Sequence, residues 1–139
     1  MDPRFAADVN GDGKADAVIF NHVQGIKVSL SDGSEFLPPE SWSAHAAWRQ
    51  PTQEEYPRFL EDVNADGMAD AVLFHPVDGV LVGLSTGTSF ADPVVWSTDG
   101  PWLHDSWDRH PRMLGDVDGD GAADAVLADP DVVVGLSSE

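Results

Sequence analysis

The chain has 139 residues, with 25 acidic against 7 basic side chains and a net charge of −18 at pH 7. A surface so one-sided repels nucleic acid and anionic membranes, and with no cysteine there is neither a disulfide framework nor a thiolate zinc site. A disordered acidic chain is excluded as well, because hydrophobic residues make up 42% of this one and include five Trp and six Phe.

Residues 8–20 read DVNGDGKADAVIF, residues 62–74 DVNADGMADAVLF and residues 116–128 DVDGDGAADAVLA. Their starts at Asp8, Asp62 and Asp116 are 54 residues apart each time, and a fixed period of this length signals a repeat architecture. Each copy places side-chain oxygens at loop positions 1, 3, 5 and 9, with a glycine at position 6 for the sharp turn. Calcium takes six to eight oxygens, commonly including a backbone carbonyl at position 7. The expected ligands are Asp8, Asn10, Asp12, Asp16 and the Lys14 carbonyl in the first copy. The second offers Asp62, Asn64, Asp66, Asp70 and the Met68 carbonyl, and the third Asp116, Asp118, Asp120, Asp124 and the Ala122 carbonyl. One such loop could be an acidic turn with solvated carboxylates; three in register favour about one Ca²⁺ per repeat, in a structural role. An EF-hand is excluded, because Ile19, Leu73 and Leu127 stand where it needs a bidentate Glu.

The frame opens with Pro3-Arg4-Phe5, Pro57-Arg58-Phe59 and Pro111-Arg112-Met113, which predict a short first strand before each loop. The apolar runs at 17–20, 71–74 and 125–127 predict a second strand buried on both faces. A turn at Gln24-Gly25, Asp78-Gly79 or Pro130-Asp131 leads to a third strand at 26–30, 80–84 and 132–136. Beyond Phe36 and Phe90 a fourth strand ends near Trp42 and Trp96, and Pro38, Pro39 and Pro93 suit an edge. The third copy stops before its fourth strand, so the expectation is eleven strands and no helix. Long connections at 43–56 and 97–110 carry Trp, Pro, His and charge, and loops of that length without structure usually carry function.

Four antiparallel strands per repeat, arrayed radially, describe the blade of a β-propeller. The fold class is therefore all-β, with blade repeats at 1–54 and 55–108 and a partial one at 109–139. The loop followed by Ala-Asp-Ala-Val resembles the FG-GAP/VCBS repeat family. The segment Trp107-Asp108-Arg109-His110-Pro111-Arg112 is similar to that of integrin-like propeller lectins of the Psathyrella velutina lectin type, whereas Tyr56 stands in the histidine position one repeat earlier. That resemblance implies a lectin binding N-acetylglucosamine-type glycans between consecutive blades. Candidate sugar contacts are Trp48, Trp102 and Trp107 for stacking, with His110 and Arg112 beside them. Arg58 and Arg112 have a structural alternative, pairing with the calcium-loop carboxylates. Trp42 and Trp96 read as blade packing.

A plain adhesion or scaffold module binding protein partners is the other reading. Catalysis is not expected: Gly83-Leu84-Ser85-Thr86-Gly87 matches a nucleophile elbow, but it ends a strand where that motif needs a strand-to-helix turn. Propellers need about four to eight blades, so the expectation is a homo-oligomer, a dimer first, or a part of a longer propeller. No apolar run approaches the roughly 20 residues of a membrane span, which argues against membrane insertion. The calcium loops suggest a secreted or cell-surface protein, although no signal peptide precedes the first repeat.

Overall fold

The computed structural model describes residues 2–53, 55–98, 102, 112–129 and 131–137. They form three antiparallel sheets that follow one another along the chain. The first holds β1 (Arg4–Ala7), β2 (Asp16–Asn21), β3 (Gly25–Ser29) and β4 (Glu40–Ser43) in that spatial order. The second holds β5 (Arg58–Glu61), β6 (Asp70–His75), β7 (Gly79–Gly83) and β8 (Val94–Ser97). The third holds β9 (Arg112–Gly115), β10 (Asp124–Asp129) and β11 (Asp131–Gly135). These are the blades and the strand tally that the repeat predicts. A 3-10 turn at Ala46–Trp48 lies in the first long connection, and no helix among the described residues is long and apolar enough to cross a membrane.

The register repeats with the sequence. Arg4 pairs with Ile19, Arg58 with Leu73 and Arg112 with Leu127. The third and fourth strands slip by the same irregularity, after Ile26 in the first blade and after Val80 in the second. Pro38, Pro39 and Pro93 lie just ahead of the outer strands β4 and β8, where no ladder bond needs their missing N–H.

The blades stack face to face through two apolar clusters. Phe20, Ile26, Val28, Trp42 and Trp48 meet Leu60, Leu73, Leu81 and Phe90 across the first junction. Across the second, Val72, Phe74, Val82 and Trp102 meet Ala123 and Leu127. Each fully buried side chain of this size contributes roughly 1.5–3 kcal/mol. A second strand buried on both faces holds only for the middle blade. From Asp70 to Phe74, β6 is buried throughout, whereas β2 alternates between buried and half-buried. The cause is the number of neighbours, since β6 has a sheet on each side and β2 has one.

Both junctions are pinned by the same backbone bond. The Ala69 N–H donates to the Asp8 carbonyl at 2.8 Å, and the Ala123 N–H donates to the Asp62 carbonyl at 2.8 Å. Both are also wedged by an indole. A Cβ on Gly83 would lie 2.8 Å from Trp48 Cζ2, and one on Gly135 would lie 2.8 Å from Trp102 Cζ2. Glycine is needed at these two positions because the tryptophan edge, joined at Gly83 by the Ala91 carbonyl at 2.8 Å, occupies the space of a side chain.

Candidate functional site

The three repeated loops wind around their own carboxylates. Asp8 Oδ1 accepts from the Gly11 N–H at 2.8 Å and Oδ2 from the Gly13 N–H at 2.8 Å. Asp62 Oδ2 and Asp116 Oδ2 accept from the Gly67 and Gly121 N–H groups at 2.9 and 3.0 Å. At position 3, Asn10, Asn64 and Asp118 accept from the N–H of position 5 at 3.2–3.3 Å. At position 5, Asp12, Asp66 and Asp120 each accept from the N–H of Lys14, Met68 or Ala122 at 2.9 Å. These short turns gather the side-chain oxygens on one side of the chain.

The carboxylates come close enough for one hard cation. One oxygen from each of Asp62, Asp66 and Asp70 lies within 4.8 Å of the others, and the same is true of Asp116, Asp118 and Asp120. Two ligands about 2.4 Å from one calcium on opposite sides would be about 4.8 Å apart, so these sets fit around one ion. In the first loop Asp8, Asp12 and Asp16 do not form an equally tight set.

Position 9 does more than its spacing suggests. Asp16, Asp70 and Asp124 are fully buried, and each ties two parts of its blade together. Their Oδ2 atoms accept from the N–H of Val9, Val63 and Val117 at 3.0–3.1 Å. Their Oδ1 atoms accept from the N–H of Ser31, Ser85 and Ser137, just beyond the third strand, at 2.7–2.9 Å. The serines were overlooked in the sequence, although the signal was there: a Leu-Ser pair closes the third strand in all three copies.

Charge is concentrated at these loops. Burial pushes the Asp70 carboxyl up to about 6, with Asp66 and Asp62 adding to it while the Ser85 and Val63 N–H groups oppose. Asp118 is raised by desolvation and by the charges of Asp120 and Asp124. Asp116 is held below the ordinary carboxylate range by N–H donors, the Gly121 N–H foremost. Like charges accumulate here, and the Lys14 ammonium lies 3.6 Å from an Asp12 carboxylate oxygen.

The sugar candidates fall elsewhere. Trp48 and Trp102 are buried in the junctions, against Phe20 at 5.9 Å and Phe74 at 6.0 Å. Neither offers an open indole face here, so the stacking role expected of them is replaced by a packing role. Arg112 is also fully buried. Trp107 and His110 lie outside the described residues. The proposed pairing of Arg58 with loop carboxylates needs correction. Its guanidinium donates instead to the carbonyls of Tyr56, Gln50 and Trp48 at 3.1, 3.1 and 3.4 Å, and it lies 6.0 Å from the Phe20 ring centre. Burial lowers its pKa to about 10, with the charge of Asp2 opposing the shift, the expected direction for a cation removed from water.

A cavity of about 240 Å³ opens between the second and third blades beside Trp96 and Trp102. Among the described residues its other walls are Val, Ala, Leu and Gly135, with Ser97 and Ser137 the only hydroxyls. Such a lining suits an apolar side chain better than a sugar, which needs several fixed polar partners. Ser85, the serine of the elbow-like motif, is buried and donates to the Val9 carbonyl at 2.5 Å. It lies between β7 and a bridge to Phe90, with no helix following.

Comparison with solved structures places this geometry. A lectin of Agrocybe aegerita, solved for its specific recognition of non-reducing terminal N-acetylglucosamine, matches 99% of the chain at a TM-score of 0.80 and 26% sequence identity. The chain spans 38% of that lectin's length. No protein-family model and no curated protein matches the sequence.

Proposed function

We propose that this chain is a carbohydrate-binding module of the propeller-lectin kind, stabilised by calcium and directed to glycans ending in N-acetylglucosamine. The observation that carries the reading is the likeness of the whole chain to a lectin that recognises this sugar. The long connections are where the contact is assigned: Trp107 supplies the stacking face and His110 a polar partner. Trp48, Trp102 and Arg112, buried in the junctions, hold those connections in place. No reaction is assigned to the site.

A glycan array in millimolar calcium tests this. The expected result is selective retention on N-acetylglucosamine-terminated glycans, weakened about tenfold in Trp107→Ala, the equivalent of about 1.4 kcal/mol of lost contact. A blank array from folded, calcium-loaded protein would leave the blades as a scaffold for protein partners, a reading that the burial of Trp48 and Trp102 favours.

Calcium has its own test. The donor set is all oxygen, which suits a hard cation, and the ion would supply positive charge where the loops gather carboxylates. A site held at 100 times its Kd adds about 2.7 kcal/mol, so EDTA should lower the melting temperature by roughly 10 °C or more. An unchanged melt would remove calcium from the proposal. Loops of this kind suit the calcium-rich space outside the cell.

A further inference from the structure

Each internal junction joins two different faces. The leading face of the first blade presents Phe5, Val9, Val28 and Leu30, and that of the second presents Phe59, Val63, Val82 and Leu84; both are covered by the next sheet. One repeat on, the third blade presents Met113, Val117, Val134 and Leu136, which remain 42, 53, 42 and 60% exposed. The trailing face is Leu60, Ala69, Ala71 and Leu73 in the second blade and Leu114, Ala123, Ala125 and Leu127 in the third. In the first blade it is Ala6, Ala15, Ala17 and Ile19, exposed or half-buried.

We propose that a second copy of this chain docks head to tail, the leading face of one third blade meeting the trailing face of the other copy's first blade. The pinning bond has its two halves ready. Ala15 is the counterpart of the donors Ala69 and Ala123, and Asp116 is the counterpart of the acceptors Asp8 and Asp62. Ser31 likewise matches Ser85, whose hydroxyl reaches the Val9 carbonyl across the first junction.

Charge favours the same register. Met68 packs on the preceding loop, where a Cβ on Gly11 would lie 3.2 Å from Met68 Cγ. One repeat earlier the residue is Lys14, which the docking sets over Gly119, between Asp118 and Asp120. Arg4 faces solvent, whereas its counterparts Arg58 and Arg112 are fully buried. The first blade also has Ser29 where Gly83 and Gly135 seat an indole, so its junction takes no tryptophan wedge. A contact between two unlike faces closes into a ring when the rotation allows it, and two chains of three blades reach the six of a closed propeller, within the range such folds use.

Sedimentation velocity in millimolar calcium tests this independently of sugar binding. The wild-type chain should sediment at twice the mass of a single chain. Leu136→Arg on the third blade and Ala6→Arg on the first, both at exposed positions, should each halve it with the circular dichroism spectrum unchanged. Lys14→Glu, which reverses the charge set over Gly119, should weaken association. A wild-type protein of single-chain mass overturns the proposal. So does either arginine variant keeping the wild-type mass, because a contact made through one face alone is broken by only one of them.

Discussion

Trp42 and Trp96 occupy the same place in two successive blades, each the third residue of its outer strand. Trp42 is 4% exposed and Trp96 is 36% exposed. The difference lies across the junction. Phe90 of the second blade packs on Trp42 with ring centres 5.3 Å apart, and its N–H donates to the Trp42 carbonyl at 3.0 Å. Among the described residues no side chain of the third blade plays that part for Trp96, and a cavity lies beside it. In a repeat protein the strand is set locally, but its burial is set by the neighbouring repeat.

The largest effect expected from this comparison is a contrast between indoles. Trp48→Ala empties a closed junction and should destabilise the chain by about 3–5 kcal/mol, the range for a large aromatic truncated in a core. Trp96→Ala should cost less than about 1 kcal/mol, as at other surface positions. Urea unfolding of both variants measures the pair, and equal losses would mean that the second junction is as complete as the first. Gly83→Leu belongs with the large effects, because its side chain must displace Trp48.

Much of the fold was legible because each local signal was repeated. The Asp-x-Asn-x-Asp-Gly loops, the Ala-Asp-Ala-Val strands and the hairpin turns are set by residues close in sequence, and they fold where expected. What was not legible depends on contacts between repeats. Trp48 sits in a long polar connection, and nothing in its flanks announces that Gly83, 35 residues on, leaves room for its edge. Arg58 precedes an acidic loop, which suggested a salt bridge, yet its side chain turns back to carbonyls of the preceding connection. The position 9 carboxylates were legible as acidic ligands, but their bonds to Ser31, Ser85 and Ser137 span 13 to 15 residues and emerge only from the closed blade.

The next effect compares one loop with and without its cation. In the ion-free chain Asp70 has a folded pKa raised to about 6 from an ordinary value of 3.8. A raised carboxyl contributes stability below its unfolded pKa and loses it as pH rises through the folded value. On this account the ion-free second loop weakens between pH 4 and 7. A bound cation reverses the sign, because it needs the ionised carboxylate and competes with the proton. The gain in melting temperature on adding calcium should therefore be larger at pH 7.5 than at pH 5. Asp70→Asn should flatten that pH dependence while also removing one ligand. A calcium gain independent of pH would separate Asp70 from the ion.

The smallest effect comes from the converse case, in which equivalent positions keep one backbone but change the residue. At loop position 4, Gly11 and Gly119 have φ of 79° and 80°, and the second loop adopts φ of 62° at Ala65. Ala65 is the only non-glycine residue with positive φ among the described residues. A left-handed conformation costs an L-residue with a Cβ roughly 1–2 kcal/mol, while glycine adds some chain entropy to the unfolded state. The two terms leave Ala65→Gly stabilising by about 1 kcal/mol, a rise in melting temperature of roughly 3 °C. The reverse changes, Gly11→Ala and Gly119→Ala, should destabilise by a similar amount. They are not fully equivalent, because a methyl on Gly11 also presses on Met68 at 3.2 Å, whereas nothing lies within 4 Å of one on Gly119. The order of destabilisation should therefore be Gly11→Ala above Gly119→Ala, with Ala65→Gly of opposite sign. If Ala65→Gly instead lowers the melting temperature, contact of the Ala65 methyl with the third loop, where a Cβ on Gly121 would lie 3.7 Å away, outweighs the backbone strain.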